Sequence, residues 1–431
     1  MSESQTTNES ILERVLIVGV LLRGGEEWRV KDTMDELAQL VESAGAEVAE
    51  RVVVRQQKIR AGHYIGSGKT QELAELARER HLTMAVFDDD LSPAQGRNLE
   101  KTMDVRVLDR TQLILDIFAR RAQTREGCLQ VELAQLQYLL PRLRRMWTHL
   151  ERQKGGIGLR GPGETQLEMD RRRIQELIRT IRRDLELVRL RRAEQRRGRR
   201  RHGWALVSIV GYTNAGKSTL LNRLSDAEIH AEDQLFATLD PTTRHVELPN
   251  REPLLMTDTV GFIQKLPHHL VDAFKATLEE VAEADLLLHV VDAAHPQAEM
   301  QIDAVLRVLD EIGAADKPML YVFNKIDDER GRNAARRLLR LHPNSLDLSA
   351  RTGEGVDRLC DRLADALKTR KVEMRLRIPL SEGKLLSALR KNASTLEEEY
   401  ETGEARLLVR VPPRLAARCA PFDETNPTHS P

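Results

Sequence analysis

The sequence predicts a multidomain α/β protein, and three observations lead there. Short apolar runs alternate with helical patterns in two separate stretches, residues 14–125 and 204–370. Between those stretches leucines recur at 4-3 spacing, the mark of a long helix with one apolar seam. The 431 residues also exceed what a single core holds, since a domain averages roughly 150 residues.

In the first stretch, Val15–Val20, Val52–Val54, Met84–Phe87 and Val105–Leu108 are separated by patterns such as Met34, Leu37, Leu40 and Val41. Continuous apolar runs between helical repeats read as buried parallel strands in βαβ units. The seam follows: Leu129, Leu133, Leu136, Leu140, Leu143, Trp147 and Leu150, with a kink expected at Pro141, whose ring removes a helical hydrogen bond. Five glycines (Gly155, Gly156, Gly158, Gly161, Gly163) make a loop, and Ile174, Leu177, Ile178, Ile181, Leu185 and Val188 mark a returning helix. The pair reads as a long antiparallel helical hairpin.

Lys+Arg and Asp+Glu both number 67, so the net charge is zero and only local charge is informative. Residues 171–201 hold 14 arginines against four acids, Glu176, Asp184, Glu186 and Glu194. Such a face is either merely solvated or a contact for RNA phosphates. The arginine-rich end at residues 196–201, following an apolar stripe, favours RNA, because clustered arginines release counterions on binding. With 3% aromatics base stacking contributes little, so a structured RNA surface is the expected target. Cys128, Cys360 and Cys419 lie far apart without a CxxC pair, which suits neither a disulfide framework nor zinc. Met1–Ser10 is polar and no apolar run spans a bilayer, so the expected location is cytoplasmic, with no membrane span.

In the second stretch strands are expected at Ala205–Val210, Leu254–Met256, Leu286–Val291, Met319–Phe323 and Leu346–Leu348, and four of the five run straight into a motif. The first meets Gly211-Tyr212-Thr213-Asn214-Ala215-Gly216-Lys217-Ser218 and then the helical Thr219–Leu224, the strand–loop–helix setting of a phosphate loop. Its amides close around a β-phosphate, Lys217 adds charge toward the β/γ oxygens, and Ser218 offers a hydroxyl to Mg²⁺. Phe236-Ala237-Thr238-Leu239-Asp240 supplies a threonine for the mobile loop that reaches Mg²⁺ and the γ-phosphate, with Thr242 and Thr243 as alternatives. Asp258-Thr259-Val260-Gly261 brings a carboxylate for a Mg²⁺-bound water and the Gly261 N–H for the γ-phosphate, and loss of that phosphate would release both loops. Asn324-Lys325-Ile326-Asp327 places a carboxylate to accept from guanine N1–H and N2–H₂, donors that adenine lacks. Ser349-Ala350-Arg351 completes the set, its Ala350 N–H facing the guanine O6. Five such strings in order predict a GTPase, with Lys217, Thr238 and Gly261 acting on the transferred phosphoryl group.

Phe262 follows Gly261 and cannot orient water, so intrinsic hydrolysis should be slow and activation should come from an RNA, a protein or a monovalent cation. Asn214 either ligates K⁺ between the phosphates or simply caps its loop. Gly62–Thr70 imitates a phosphate loop, but no strand enters it and its spacing is one residue too long; a glycine turn before a helix suits it better than a nucleotide site. His268-His269 has no cysteine or carboxylate set beside it and reads as loop histidines. Beyond Glu373, the runs Met374–Ile378, Gly383–Asn392 and Ala405–Val411 suggest a small βαβ appendage.

The predicted fold class is thus α/β, multidomain: an N-terminal small parallel-sheet α/β subdomain (11–125), a long antiparallel helical hairpin with its Gly-rich loop (126–202), a P-loop G domain (203–370), a small α/β C-terminal domain (371–415) and a disordered tail (416–431). Tyr64-Ile-Gly-Ser-Gly-Lys69, Gly161-Pro-Gly-Glu-Thr-Gln-Leu-Glu168, Phe236–Asp240 and Asp258–Phe262 together resemble the HflX family of ribosome-associated GTPases, from about Leu16 to Val411. The resemblance implies Ser218 and Thr238 as Mg²⁺ ligands, Thr238 being chosen over its alternatives on this ground. It also implies binding to the large (50S) subunit through ribosomal RNA, ribosome-stimulated GTP hydrolysis and splitting or rescue of stalled 70S ribosomes. It further implies ATP binding in the N-terminal region, around Gly66–Lys69. A monomer is expected. Two other readings stay open: an assembly or hibernation factor that binds subunits without splitting, and an ATP-driven RNA-remodelling enzyme using Gly62–Thr70.

Overall fold

The computed structural model describes residues 13–143, 162–201, 204–225, 235–236, 238–249, 253–265, 278–368, 372–401, 403–411 and 413–424. Strands β1 (Arg14–Leu22), β2 (Glu47–Gln56), β3 (Met84–Phe87) and β4 (Arg106–Asp109) form a parallel sheet in the order β2-β1-β3-β4. Because side chains alternate along a strand, Val15 and Ile17 face one core while Leu16 and Val18 face the other. Helices α1 (Glu27–Ser43) and α4 (Arg110–Arg121) cover the first face; α2 (Ser67–Glu79) and α3 (Pro93–Met103) cover the second. The Gly62–Thr70 string is a turn feeding α2, with Gly66 at φ +89° and β2 already ended at Gln56.

Helices α5 (Arg125–Leu143) and α6 (Pro162–Arg201) form the hairpin. Leu129, Leu133, Leu136 and Leu140 meet Ile174, Ile178, Ile181 and Leu185, so the two predicted seams close on each other. Arg192 near the end of α6 pairs with Glu126 at the start of α5 (2.7 Å), which fixes the antiparallel sense. Helix α6 runs about 60 Å at 1.5 Å per residue. It begins at Pro162, so Gly163 lies in the helix and not in the loop; proline is tolerated there because the first helical N–H has no partner anyway. Trp147, Leu150 and Gly155, Gly156, Gly158 and Gly161 lie outside the described residues, as do the side chains of 195–201.

The third unit has β5 (Ala205–Gly211), α7 (Lys217–Ser225), β6 (Thr242–Glu247), β7 (Pro253–Asp258), β8 (Leu286–Asp292), α8 (Ala298–Glu311), β9 (Met319–Asn324), α9 (Glu329–Leu341), β10 (Ser345–Asp347) and α10 (Val356–Lys368). Sheet order is β10-β9-β8-β5-β7-β6, parallel except for β6. The edge strand β6 was not anticipated: of its residues Val246 alone is buried, which leaves no apolar run to read.

A last sheet holds β11 (Val372–Pro379), β12 (Ser394–Glu401) and β13 (Glu404–Val411), antiparallel in the order β11-β13-β12, with α11 (Gly383–Asn392) joining β11 to β12. The acidic, exposed β12 is an addition to the anticipated β-α-β order. The disorder expected over 416–431 is overturned for residues 416–424. Helix α12 (Pro413–Cys419) buries Cys419 and packs Leu415 and Ala416 on the sheet, Phe422 of the turn that follows joins them, and Glu424 N–H donates to the Arg375 carbonyl at 2.8 Å. That stripe is too short for periodicity to announce it.

Candidate nucleotide site

The phosphate loop is held by close backbone packing. A Cβ at Gly211 would lie 2.2 Å from the Val290 carbonyl oxygen, and one at Gly216 would lie 2.2 Å from Asn324 Nδ2. Asn214 adopts φ +58°, a left-handed position that asparagine tolerates. Lys217 is buried and donates to the Tyr212 carbonyl (2.8 Å). Burial lowers its pKa to about 8, with Asp258 acting in the opposite direction.

Ser218, Thr238 and Asp258 converge. Ser218 Oγ donates to Asp258 Oδ2 (2.6 Å), Thr238 Oγ1 donates to the same oxygen (3.0 Å), and the two hydroxyls lie 2.8 Å apart. Burial raises the Asp258 pKa against the opposing pull of Lys217, and Asp258 Oδ1 is buried without a hydrogen-bond partner. Two hydroxyl oxygens beside a carboxylate with one orphaned oxygen make a hard-oxygen cluster that fits Mg²⁺. Thr259 is buried and donates to the Ile209 carbonyl (2.7 Å), Val260 joins the core, and Gly261 lies against Thr213 and Lys217 Nζ.

Asn324 bridges loops: its Nδ2 donates to the Ala215 carbonyl (2.8 Å) and its Oδ1 accepts from Ala350 N–H (2.9 Å). The Ala350 amide, expected to face guanine O6, is therefore committed to Asn324 in this structure. Asp327 accepts from Ser349 Oγ (2.6 Å) and pairs with Arg351. Burial opposes it, but the Ser349 hydrogen bond and the Arg351 guanidinium hold its carboxyl below the ordinary value. Lys325 pairs with Asp292 (2.7 Å) while Ile326 is buried.

One expected string divides. Thr238 joins the site, but the side chains of Phe236, Leu239 and Asp240 do not. Phe236 meets Phe118 of α4 edge to face (4.7 Å), Leu239 enters the same core, and Asp240 accepts from the amides of Gln123 (3.0 Å) and Thr124 (2.9 Å). An apolar residue in a loop carries no sign of which core will take it. Ala237 and His268-His269 lie outside the described residues. Sequence reasoning missed a buried polar network behind the site: Tyr212 and Arg110 both bind Glu36, Arg110 pairs with Asp88 (2.7 Å), and Lys265 donates to Asp88 and Asp89 (both 2.6 Å).

A phosphate loop at one strand end, hydroxyls and a carboxylate grouped at its mouth and a base-side Asn-Lys-Ile-Asp string define a P-loop GTPase. Three family models match: one described as GTP-binding GTPase N-terminal over residues 31–119, one as GTP-binding GTPase Middle Region over 121–199, and one as 50S ribosome-binding GTPase over 206–325. The GTPase HflX of Lacrimispora saccharolytica is 47% identical over 412 residues, 96% of each chain. That of Escherichia coli is 48% identical, covering 88% of this chain and 90% of its own, and that of Magnetococcus marinus is 47% identical with 89% of each covered. The chain belongs to the HflX family of GTPases and has GTP as its substrate. Among the described residues no helix is long and apolar enough to cross a membrane.

Proposed function

We propose that this GTPase docks on the large ribosomal subunit in its GTP form, through ribosomal RNA, and splits or rescues stalled 70S ribosomes, hydrolysis permitting release. The observation that carries the reading is the docking of two loop segments, switch I (residues 236–240) and switch II (residues 258–265), on the N-terminal unit and the start of the hairpin. Phe236 and Asp240 reach α4 and the start of α5, and Lys265 reaches Asp88. A change at the γ-phosphate thereby bears on the hairpin whose exposed arginines, such as Arg172, Arg179 and Arg183, suit an RNA backbone. The family model described as 50S ribosome-binding GTPase supports the same partner.

In this reading the amides of 211–216 cradle the phosphates, Lys217 and Gly261 N–H meet the terminal one, and Ser218 and Thr238 would hold Mg²⁺ with Asp258 supporting it through water. When bound, Mg²⁺ neutralises charge on the phosphate oxygens. Asp327 selects guanine once Arg351 swings aside. Asn214 serves K⁺ as well as loop geometry, so hydrolysis is faster in K⁺ than in Na⁺ buffer. The protein acts as a cytoplasmic monomer, divided at the domain limits given above except that the C-terminal domain runs on to residue 424.

The test is GTP hydrolysis by the protein alone and with 30S, 50S and 70S particles, with Lys217→Ala as blank, alongside sedimentation of 70S particles. Strong stimulation by 50S or 70S, and free subunits appearing with GTP or a non-hydrolysable analogue, is the expected result. Stimulation without free subunits removes splitting and leaves a factor that binds subunits intact.

A further inference from the structure

We infer that Tyr212 is a positioning residue for GTP hydrolysis, whose hydroxyl carries the order of the N-terminal sheet into the switch II backbone. Tyr212 is the second residue of the phosphate loop, where a phenol has no phosphate to meet. Its ring is 5% exposed and sits in the core shared with α1 and α4. The hydroxyl accepts from Gln264 N–H (2.6 Å) and donates to the Glu36 carboxylate on α1. Glu36 is held in turn by Arg110, itself 1% exposed and paired with Asp88. Lys265 closes the circuit on Asp88 and Asp89. Lys265 is therefore anchored directly to the N-terminal unit through its side chain, and Gln264 indirectly through its backbone, by way of the Tyr212 hydroxyl and Glu36 of α1.

Just before that anchor, Phe262 exchanges two backbone hydrogen bonds with the phosphate loop, Thr213 N–H to Phe262 O (2.8 Å) and Phe262 N–H to Gly211 O (3.1 Å). Gly261 is pressed so close that a Cβ would lie 2.7 Å from Thr213 Cγ2 and 3.1 Å from Lys217 Nζ. Thr238 meanwhile touches Ser218 and Asp258. Both switches thus stand closed over the loop, and position 262 holds a buried phenylalanine in place of a water-orienting side chain. A site of this kind depends on how firmly its backbone donors are held, because preorganised dipoles need no reorganisation as charge develops. Removing the Tyr212 hydroxyl leaves the Gln264 amide without its acceptor and loosens the segment carrying Gly261 at one of its anchors, between the Phe262 backbone bonds and the Lys265 ion pairs.

The inference rests on the reading that Gly261 N–H meets the terminal phosphate. The test uses the full chain carrying Tyr212→Phe, Glu36→Gln or both, with steady-state GTP hydrolysis, GDP titration and thermal melting. We expect kcat to fall about tenfold in each single variant, equivalent to about 1.4 kcal/mol, with no further fall in the pair because they act as one unit. KM and GDP affinity should stay within about twofold of the parent, since ground-state binding is not what the hydroxyl supports. An unchanged or raised kcat in Tyr212→Phe overturns the proposal. So does a loss of GDP affinity and melting temperature in step with kcat, the pattern of a merely structural contact. Gly261→Ala separates the two levels: full activity there removes the Gly261 reading and the Tyr212 proposal with it, whereas full activity in Tyr212→Phe alone removes only the latter.

Discussion

Burial decides the chemistry of Lys217. Its ammonium is enclosed with the Tyr212 carbonyl at 2.8 Å, and its pKa drops to about 8 from an ordinary 10.5. A lysine whose folded pKa lies below its unfolded one is penalised while charged. The penalty is full below about pH 8 and fades as the pH rises toward 10.5, so the nucleotide-free protein gains stability through that window. Phosphate oxygens give the ammonium an anionic partner and raise its pKa again. GDP binding above pH 8 should therefore take up a proton, and affinity should fall about tenfold per pH unit there. Calorimetry at pH 9 in two buffers of different ionisation enthalpy measures the uptake; none would mean that Lys217 is already charged before the nucleotide arrives. Asp258 and Asn324 were legible in the sequence because each ends an apolar strand, and Lys217 and Ser218 because they open the helix that follows the loop after another such strand. Glu36 was not, since nothing local marks a carboxylate whose partner lies 176 residues away.

Helix α5 begins with a borrowed cap. Thr124 Oγ1 accepts from Gly127 N–H (3.0 Å), and Asp240 from the switch I segment holds Thr124 through its amide and hydroxyl. Gly127 is required, because a Cβ there would fall 2.3 Å from Asp240 Oδ1. Asp240→Ala should cost about 1 kcal/mol of stability in denaturant unfolding, as the loss of a helix cap does. It should slow hydrolysis by more than that cost explains, because Thr238 is two residues away. Equal stability in the variant and parent would mean that the cap is redundant. At this scale apolar seams were the readable feature: the leucines of α5 and the isoleucines of α6 declare their faces through periodicity alone. Strands β6 and β12 were lost for the opposite reason. Each lies at a sheet edge with few or no buried apolar side chains, so no alternation survives in the sequence.

Periodicity shows which face of an element is apolar, not which element covers it, and that is why the segments were legible while the interior that three of them share was not. One core joins Ile17, Leu37 and Phe118 of the N-terminal unit, Val131 and Tyr138 of α5, and Val210, Phe236, Phe262 and Leu287 of the G domain. The C-terminal sheet keeps a core of its own, built on Leu376, Ile378, Leu407 and Val409. Cooperativity follows contiguous packing, so residues up to Lys368 should unfold as one unit and the C-terminal sheet apart from it. Phe118→Ala tests this at a distance. The loss of a buried phenylalanine should cost about 3–5 kcal/mol, and that loss should appear equally in amides of the N-terminal β1 and of the G-domain β8 during hydrogen exchange. GDP, bound at the G-domain site proposed above, should protect β1 by the same linkage. Faster exchange confined to β1, with β8 unchanged, would show two separately stable units. The switch contacts would then be docking between domains and not part of a common core, and nucleotide could inform the hairpin only through those few side chains.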